Sequence, residues 1–263
     1  MTTPDEQAAG WPAADAGAGP TPMFDAIVLA GGAGRRLEGA VKPELVLGGR
    51  ALVDHALDAV SRARRCVLVA PPALTRPGVP TTLEDPPLGG PVAGLAAGLA
   101  LLVAPPADLA GVPGPAGAAR AAEVVVVLAC DVPRAGSVVP ALVAAASAPG
   151  TDGARLVDAE GAPQHLVAAY RTDALRTALA SLAEVRGASV RRLVAGLHLR
   201  DVPDPGGAGE DVDTWADARR VGAALSGAGA PGREAAPGPS APTADAVRDT
   251  IGPERPRQPG SKS

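Results

Sequence analysis

Short β-branched runs alternate with Ala/Leu-rich amphipathic runs along most of this chain, and that alternation restricts it to an α/β architecture. The strand-type segments are Asp25–Ala30, Cys66–Ala70, Thr81–Glu84, Val124–Ala129, Ala154–Asp158, Leu166–Tyr170 and Leu199–Val202. The helix-type segments are Leu52–Ser61, Val92–Val103, Val138–Ser147, Ala174–Ala183, Val190–Val194 and Trp215–Leu225. Thr214 followed by Asp217 has the form of a capping box, and Pro91 suits a first helical turn. The expected fold is a Rossmann-like three-layer sandwich, with a mostly parallel sheet between helices.

With 263 residues, 46% of them hydrophobic, the chain is long enough for one catalytic domain with a continuous core. We expect that domain over residues 23–225, with Met23 a candidate start immediately before the first strand. Residues 1–22 and 226–263 are rich in Ala, Gly and Pro with little to bury, and are expected to be a disordered leader and tail. A similar stretch, Pro105–Arg120, reads as a loose insertion.

A net charge of −4 and only 2% aromatic residues argue against a nucleic-acid partner, which needs clustered cations or stacking platforms. No apolar run reaches the roughly 20 residues of a bilayer span, so no membrane association is expected. Cys66 and Cys130 lie in unrelated segments without a CxxC pair, which fits a reducing cytoplasm.

The first strand runs directly into Gly31-Gly32-Ala33-Gly34-Arg35-Arg36-Leu37, followed by Lys42-Pro43 and Leu47-Gly48-Gly49. Loops at the carboxyl ends of parallel strands are where open α/β sheets bind ligands, and glycines there let backbone N–H groups approach phosphate oxygens. The loop lacks the Gly-Lys-Ser/Thr of a Walker site, and Arg36 stands where a dinucleotide fingerprint needs its last glycine. Basic groups just after the glycines suit a triphosphate: Arg36 for the leaving phosphates and Lys42 for charge near the α-phosphate. Asp131 ends the run Val124–Ala129, which puts its carboxylate at the same sheet edge as a candidate Mg²⁺ ligand.

Leu29-Ala30-Gly31-Gly32-Ala33-Gly34-Arg35-Arg36-Leu37 with Lys42 resembles the signature of the molybdenum cofactor guanylyltransferase (MobA-like) family of nucleotidyltransferases. Further blocks resemble that family in order: Glu84-Asp85-Pro86 with Gly90-Pro91-Val92-Ala93-Gly94-Leu95, then Leu128-Ala129-Cys130-Asp131-Val132-Pro133, then Asp211-Val212-Asp213-Thr214. The resemblance spans about Met23 to Leu225 and implies a sheet of the nucleotide-diphospho-sugar transferase type.

It also implies a Mg²⁺-dependent transfer of GMP from GTP to the phosphate of a molybdopterin-type cofactor, with a molybdoenzyme or another cofactor-biosynthesis protein as a possible recipient. Leu29, Ala30, Gly31, Gly32, Gly34, Arg36, Lys42 and Asp85 would bind the nucleotide. Arg36, Lys42 and Asp131 would serve catalysis, and Asp131, Asp211 and Asp213 the metal. Asp85 would read guanine, whose N1–H and exocyclic amine form a donor pair that one carboxylate accepts. Gln164-His165-Leu166 resembles a weaker block on the acceptor side.

The sequence departs from the family pattern in four places: Asp211 and Asp213 replace Asn, Glu38 replaces a glycine, and Val41 replaces an Asp before the lysine. Ordinary structural roles compete with each assignment: a glycine turn with solvated basic residues, a strand-end turn at Asp131, helix capping at Asp211 and Asp213, and a turn aspartate at Asp85. Three other functions compete as well. A cytidylyltransferase acting on molybdopterin or on a sugar or polyol phosphate is one, and a non-catalytic protein that binds or delivers the cofactor is another. A dinucleotide oxidoreductase lacks both its third glycine and a clear ribose-binding acid.

Overall fold

A computed structural model describes residues 22–31, 41–104 and 121–227. In chain order its elements are β1 (Phe24–Leu29), the short strands β2 (Val46–Leu47) and β3 (Arg50–Ala51), α1 (Leu52–Ala59), β4 (Cys66–Val69), β5 (Thr81–Thr82), α2 (Pro91–Val103), β6 (Val124–Ala129), α3 (Val139–Ser147), β7 (Gly153–Val157), β8 (Pro163–Arg171), α4 (Thr172–Ser181), α5 (Val190–Leu193), β9 (Leu199–Pro203) and α6 (Trp215–Gly227). Seven strands form one sheet in the order β5-β4-β1-β6-β8-β7-β9. Only β8 runs against its neighbours, pairing antiparallel with β6 and β7. The other pairings, β1 with β4, β1 with β6, β4 with β5 and β7 with β9, are parallel.

Alternation along the central strands divides the core into two layers. Ala26 and Val28 of β1 and Val126 and Leu128 of β6 point to the side covered by α1 and α3, where Val53, Ala56, Leu142 and Val143 meet them. Ile27, Leu29, Val125 and Val127 point to the other side, covered by Leu95 and Leu99 of α2, Leu175 of α4 and Leu193 of α5. Each such aliphatic side chain contributes about 1.5–3 kcal/mol on burial. Both faces of β1 and β6 are therefore buried, which explains why these strands read as almost wholly apolar runs, Asp25 aside.

Gly98 of α2 sits where an added Cβ would lie 2.8 Å from Ile27 Cγ2 and 2.9 Å from Val69 Cγ2. The absent side chain lets the helix ride close over β1 and β4. At the amino end of β1, Asp25 is 1% exposed. It accepts from Arg64 at 3.2 and 3.0 Å and from the backbone N–H of Ala122 at 2.7 Å. This buried ion pair pins the edge of the sheet opposite the glycine loop.

The predicted strands and helices all occur, with shifted ends. Thr81–Glu84 shrinks to two residues, β8 begins three residues earlier at Pro163, and α6 runs on to Gly227. His198, just before β9, supplies its backbone carbonyl to Asp152 N–H at 2.8 Å. The expectation did not include the hairpin β2–β3, which turns at Gly48 and Gly49 with φ of +56° and +83°. Two consecutive left-handed residues suit the twist of a two-residue hairpin loop, and glycine takes that geometry without steric cost. Except for Pro22 and the end of α6, the expected leader, the insertion at 105–120 and the tail lie outside the described residues.

Candidate active site

Strand order reverses around β1. The chain passes from β1 to β4 and β5 on one side and then crosses to β6 on the other, so the crevice beyond the carboxyl ends of β1 and β6 is the topological switch point. The two strands are in register to their ends, with Leu29 opposite Ala129, and Cys130 N–H donates to Leu29 O at 2.9 Å. Asp131 therefore emerges beside Ala30 and Gly31. Leu29 and Ala30 are buried, and an added Cβ at Gly31 would meet nothing within 4 Å. Gly32, Gly34 and Arg36 lie outside the described residues.

Lys42 opens a short 3-10 turn, Lys42–Glu44, with Pro43 buried beneath it. Arg76 steadies that turn, donating to Glu44 at 3.0 and 3.2 Å and to Asp54 of α1 at 2.6 Å. From this position the Lys42 ammonium donates to Asp131 Oδ2 at 2.7 Å and to Asp213 Oδ1 at 2.6 Å. The three side chains are 16%, 26% and 39% exposed, so the cluster is shielded yet open to a ligand.

Two features deliver Asp213. Val212 N–H donates to Asp131 O at 2.9 Å, which ties the segment before α6 to the end of β6. A small separate core, with Leu47, Leu52, Val212, Ala218 and Val221 buried in it, packs α6 against the β2–β3 hairpin that follows Lys42. His55 of α1 adds a bond from Nε2 to Leu47 O at 2.9 Å. The capping box at the start of α6 forms as expected: Thr214 N–H donates to Asp217 at 2.8 Å and Asp217 N–H to Thr214 Oγ1 at 3.2 Å.

Electrostatics in the cluster are unbalanced. Burial, the largest influence, pulls the Lys42 pKa down, but hydrogen bonds to Asp131 and Asp213 outweigh it and the net shift is upward, so the lysine is a fixed cation. Asp211 is pushed above the usual carboxylate range, first by partial loss of hydration and then by the negative charges of Asp213 and Asp131. Among the described residues three carboxylates, Asp131, Asp211 and Asp213, face the one ammonium of Lys42, an excess of negative charge that a further cation would offset.

Among the described residues no three or more His, Cys, Asp or Glu side chains are grouped closely enough to grip one ion. Asp131 and Asp213 are hard oxygen donors, partly exposed and converging on one cationic centre. Such a donor pair fits Mg²⁺, which takes one or two protein carboxylates and fills its shell with water and phosphate oxygens. The cysteine next to Asp131 is inert: burial, with Asp131 adding to it, pushes the Cys130 thiol up to about 12.

Asp85 stands on the loop between β5 and α2, exposed, at the same carboxyl edge. Glu84 beside it accepts from Gly89 N–H at 3.1 Å. Gly187 N–H donates to Gly89 O at 2.7 Å, and Arg186 Nη1 donates to Pro86 O and Pro87 O at 3.2 and 3.5 Å. Sequence reasoning missed Arg186 and Gly187, since nothing in a lone Arg-Gly between two helices points to a loop some 100 residues away. His165 lies on β8 at this edge, its pKa lowered by burial and then by Arg155 and Arg191.

Among the described residues no helix is long and apolar enough to cross a membrane. The chain resembles known proteins over most of this domain. The MobA-like NTP transferase domain matches residues 26–202. A curated relative, the molybdenum cofactor guanylyltransferase of Acidiphilium cryptum (strain JF-5), is 42% identical over 79 residues, which is 28% of this chain and 40% of the relative. The chain thus matches less than half the length of that relative.

Molybdopterin-guanine dinucleotide biosynthesis protein A from Archaeoglobus fulgidus superposes with a TM-score of 0.56 at 21% identity, covering 78% of this chain and all of that one. A homologue of Mycobacterium tuberculosis Rv0371c from a Mycobacterium strain superposes with a TM-score of 0.54 at 25% identity, over 77% of this chain and 96% of that one. The shared sheet is of the nucleotide-diphospho-sugar transferase type, as expected from the sequence. With more than half of its length covered by one family model, the chain belongs to the MobA-like NTP transferase domain family.

Proposed function

We propose that this protein is a nucleotidyltransferase that moves GMP from GTP onto the phosphate of a molybdopterin-type cofactor and releases pyrophosphate. The observation that carries the reading is the meeting of Lys42, Asp131 and Asp213 within 2.7 Å contacts at the switch point of the sheet. The kinship with a guanylyltransferase supports the choice of base and acceptor.

In the proposed reaction an oxygen of the acceptor phosphate attacks the α-phosphorus of GTP, a new P–O bond forms, and the bond to the bridging oxygen breaks as pyrophosphate leaves. A phosphate monoester is mostly dianionic at neutral pH, so no protein base is required. The chain's work is alignment and charge neutralisation. Lys42 supplies positive charge beside the α-phosphate, Arg36 meets the leaving phosphates, and Asp85 accepts from the N1–H and amine of guanine. Asp131 and Asp213, with Asp211 beside them, would hold Mg²⁺, and the bound ion would neutralise phosphate charge and offset the surplus of carboxylates.

The test is pyrophosphate release from each of the four nucleoside triphosphates, with and without molybdopterin, in Mg²⁺ and in chelator. Release from GTP alone, dependent on both acceptor and metal, is the expected outcome. Preference for CTP would assign the base wrongly, and nucleotide binding without any pyrophosphate would make the protein a carrier.

A further inference from the structure

We infer that Arg186 is a positioning residue for recognition of the nucleobase, acting by holding the loop that presents Asp85. This rests on the reading of Asp85 as the group that meets the base.

The loop Glu84–Gly90 has an unusual composition for a recognition element. Pro86 and Pro87 have no N–H groups, so these two residues supply no backbone donors to the loop. Its carbonyls need donors from elsewhere. One guanidinium nitrogen of Arg186 reaches both Pro86 O, at 3.2 Å, and Pro87 O, at 3.5 Å, the two carbonyls directly after Asp85. The next residue, Gly187, donates to Gly89 O at 2.7 Å. Glu84 closes the loop from within by accepting from Gly89 N–H at 3.1 Å. The segment between α4 and α5 thus grips the loop at three carbonyls, and Asp85 lies between the internal Glu84 brace and the first of them.

Leu88 gives independent evidence that the loop is held rather than relaxed. It is the one non-glycine residue among those described with positive φ, at 64°, and it is 75% exposed. A branched aliphatic residue in the left-handed region is strained, and its own side chain gains nothing from burial there. Such a conformation persists only where flanking contacts over-determine it, and the Arg186 and Gly187 bonds on either side of Leu88 do so. Asp85 itself makes no hydrogen bond among the described residues, so its direction depends on the backbone that carries it. Bidentate acceptance from guanine tolerates little misdirection, and loss of the brace should cost base discrimination before it costs anything else.

The experiment measures dissociation constants of GTP and ITP, with Mg²⁺, for the full chain and for Asp85→Asn, Arg186→Ala and Arg186→Lys. Inosine lacks the exocyclic amine, so the ratio of the two constants isolates the second hydrogen bond to Asp85. In Arg186→Ala, GTP should weaken about tenfold toward the ITP value while ITP stays within about twofold, matching Asp85→Asn, with an unchanged melting temperature. Arg186→Lys, which still reaches one carbonyl, should recover part of the ratio. If Asp85→Asn lowers the ratio and Arg186→Ala does not, or weakens both nucleotides equally, the positioning role is overturned while the base-reading role stands. If Asp85→Asn itself leaves the ratio unchanged, both roles fall.

Discussion

Lys42 and Asp213 are 171 positions apart in the sequence and 2.6 Å apart in the fold. The contact is built by two local devices, the β2–β3 hairpin after Lys42 and helix α6 after Asp213, which share a small apolar core away from the main sheet. Asp131 joins them from the end of β6. The ammonium stands between these two carboxylates and ties the three segments together.

Replacement of Lys42 by alanine should lower the rate of the chemical step by about a hundredfold while changing GTP affinity much less, because its charge matters most as negative charge redistributes at the α-phosphorus. Single-turnover kinetics alongside equilibrium binding separate the two. A pure affinity defect would remove Lys42 from the neighbourhood of the α-phosphate.

Asp131→Ala should abolish Mg²⁺-dependent turnover with little effect on the melting temperature. The side chain is 26% exposed and contributes no apolar packing, and the Asp131 carbonyl that holds Val212 survives the substitution. Full activity in a folded Asp131→Ala protein would sink the metal assignment.

Asp211 offers a test of the charge surplus. Its folded pKa is raised above 3.8, so its charged form is disfavoured in the folded state. The resulting cost is absent below the unfolded value, where the group is protonated in both states, and complete once pH exceeds the raised folded value. Asp211→Asn should therefore stabilise the ligand-free protein at pH 7, by less than about 1 kcal/mol for so solvated a group, and the gain should vanish near pH 3. Urea melts at the two pH values measure it.

Asp204 shifts the other way. Its carboxylate accepts from the N–H groups of Gly206, Ala208 and Gly209 at 2.9, 2.8 and 2.8 Å; burial works against ionisation, but these bonds prevail and lower the pKa below 3.8. A depressed pKa gives stability that is present above the unfolded value and lost as pH falls through the folded one. Asp204→Ala should cost about 1–2 kcal/mol at pH 7, and its deficit should shrink below pH 3.8.

Gly98→Val tests the close approach of α2. The added atoms would overlap the methyl groups of Ile27 and Val69, and overpacking of this kind costs about 1–3 kcal/mol, more than the few tenths of a kcal/mol that valine gains over glycine in helix propensity. Thermal unfolding should report the loss.

The main sheet was legible because β1 and β6 are buried on both faces and therefore consist almost wholly of apolar residues. Asp131 could be placed at the carboxyl edge for the same reason: the apolar run stops just before it. The hairpin β2–β3 escaped notice because two-residue strands carry no periodicity, although Gly48-Gly49 was a usable turn signal. Meetings between distant segments, such as Arg186 with Pro86 or Asp25 with Arg64, arise from packing that a single chain does not spell out. Asp211 and Asp213 were expected as equals, yet only Asp213 carries a bond to Lys42.

Because α6 supplies Val221 to the small core and directly follows Asp213, a chain still emerging from the ribosome has no complete acidic pair until its last described helix has been made. The large sheet could form earlier, since all its strands precede Asp204. Under the proposed function, competence for chemistry would thus come late in the synthesis of this domain, and a nascent chain stalled before Trp215 would present the large sheet with an unfinished cleft.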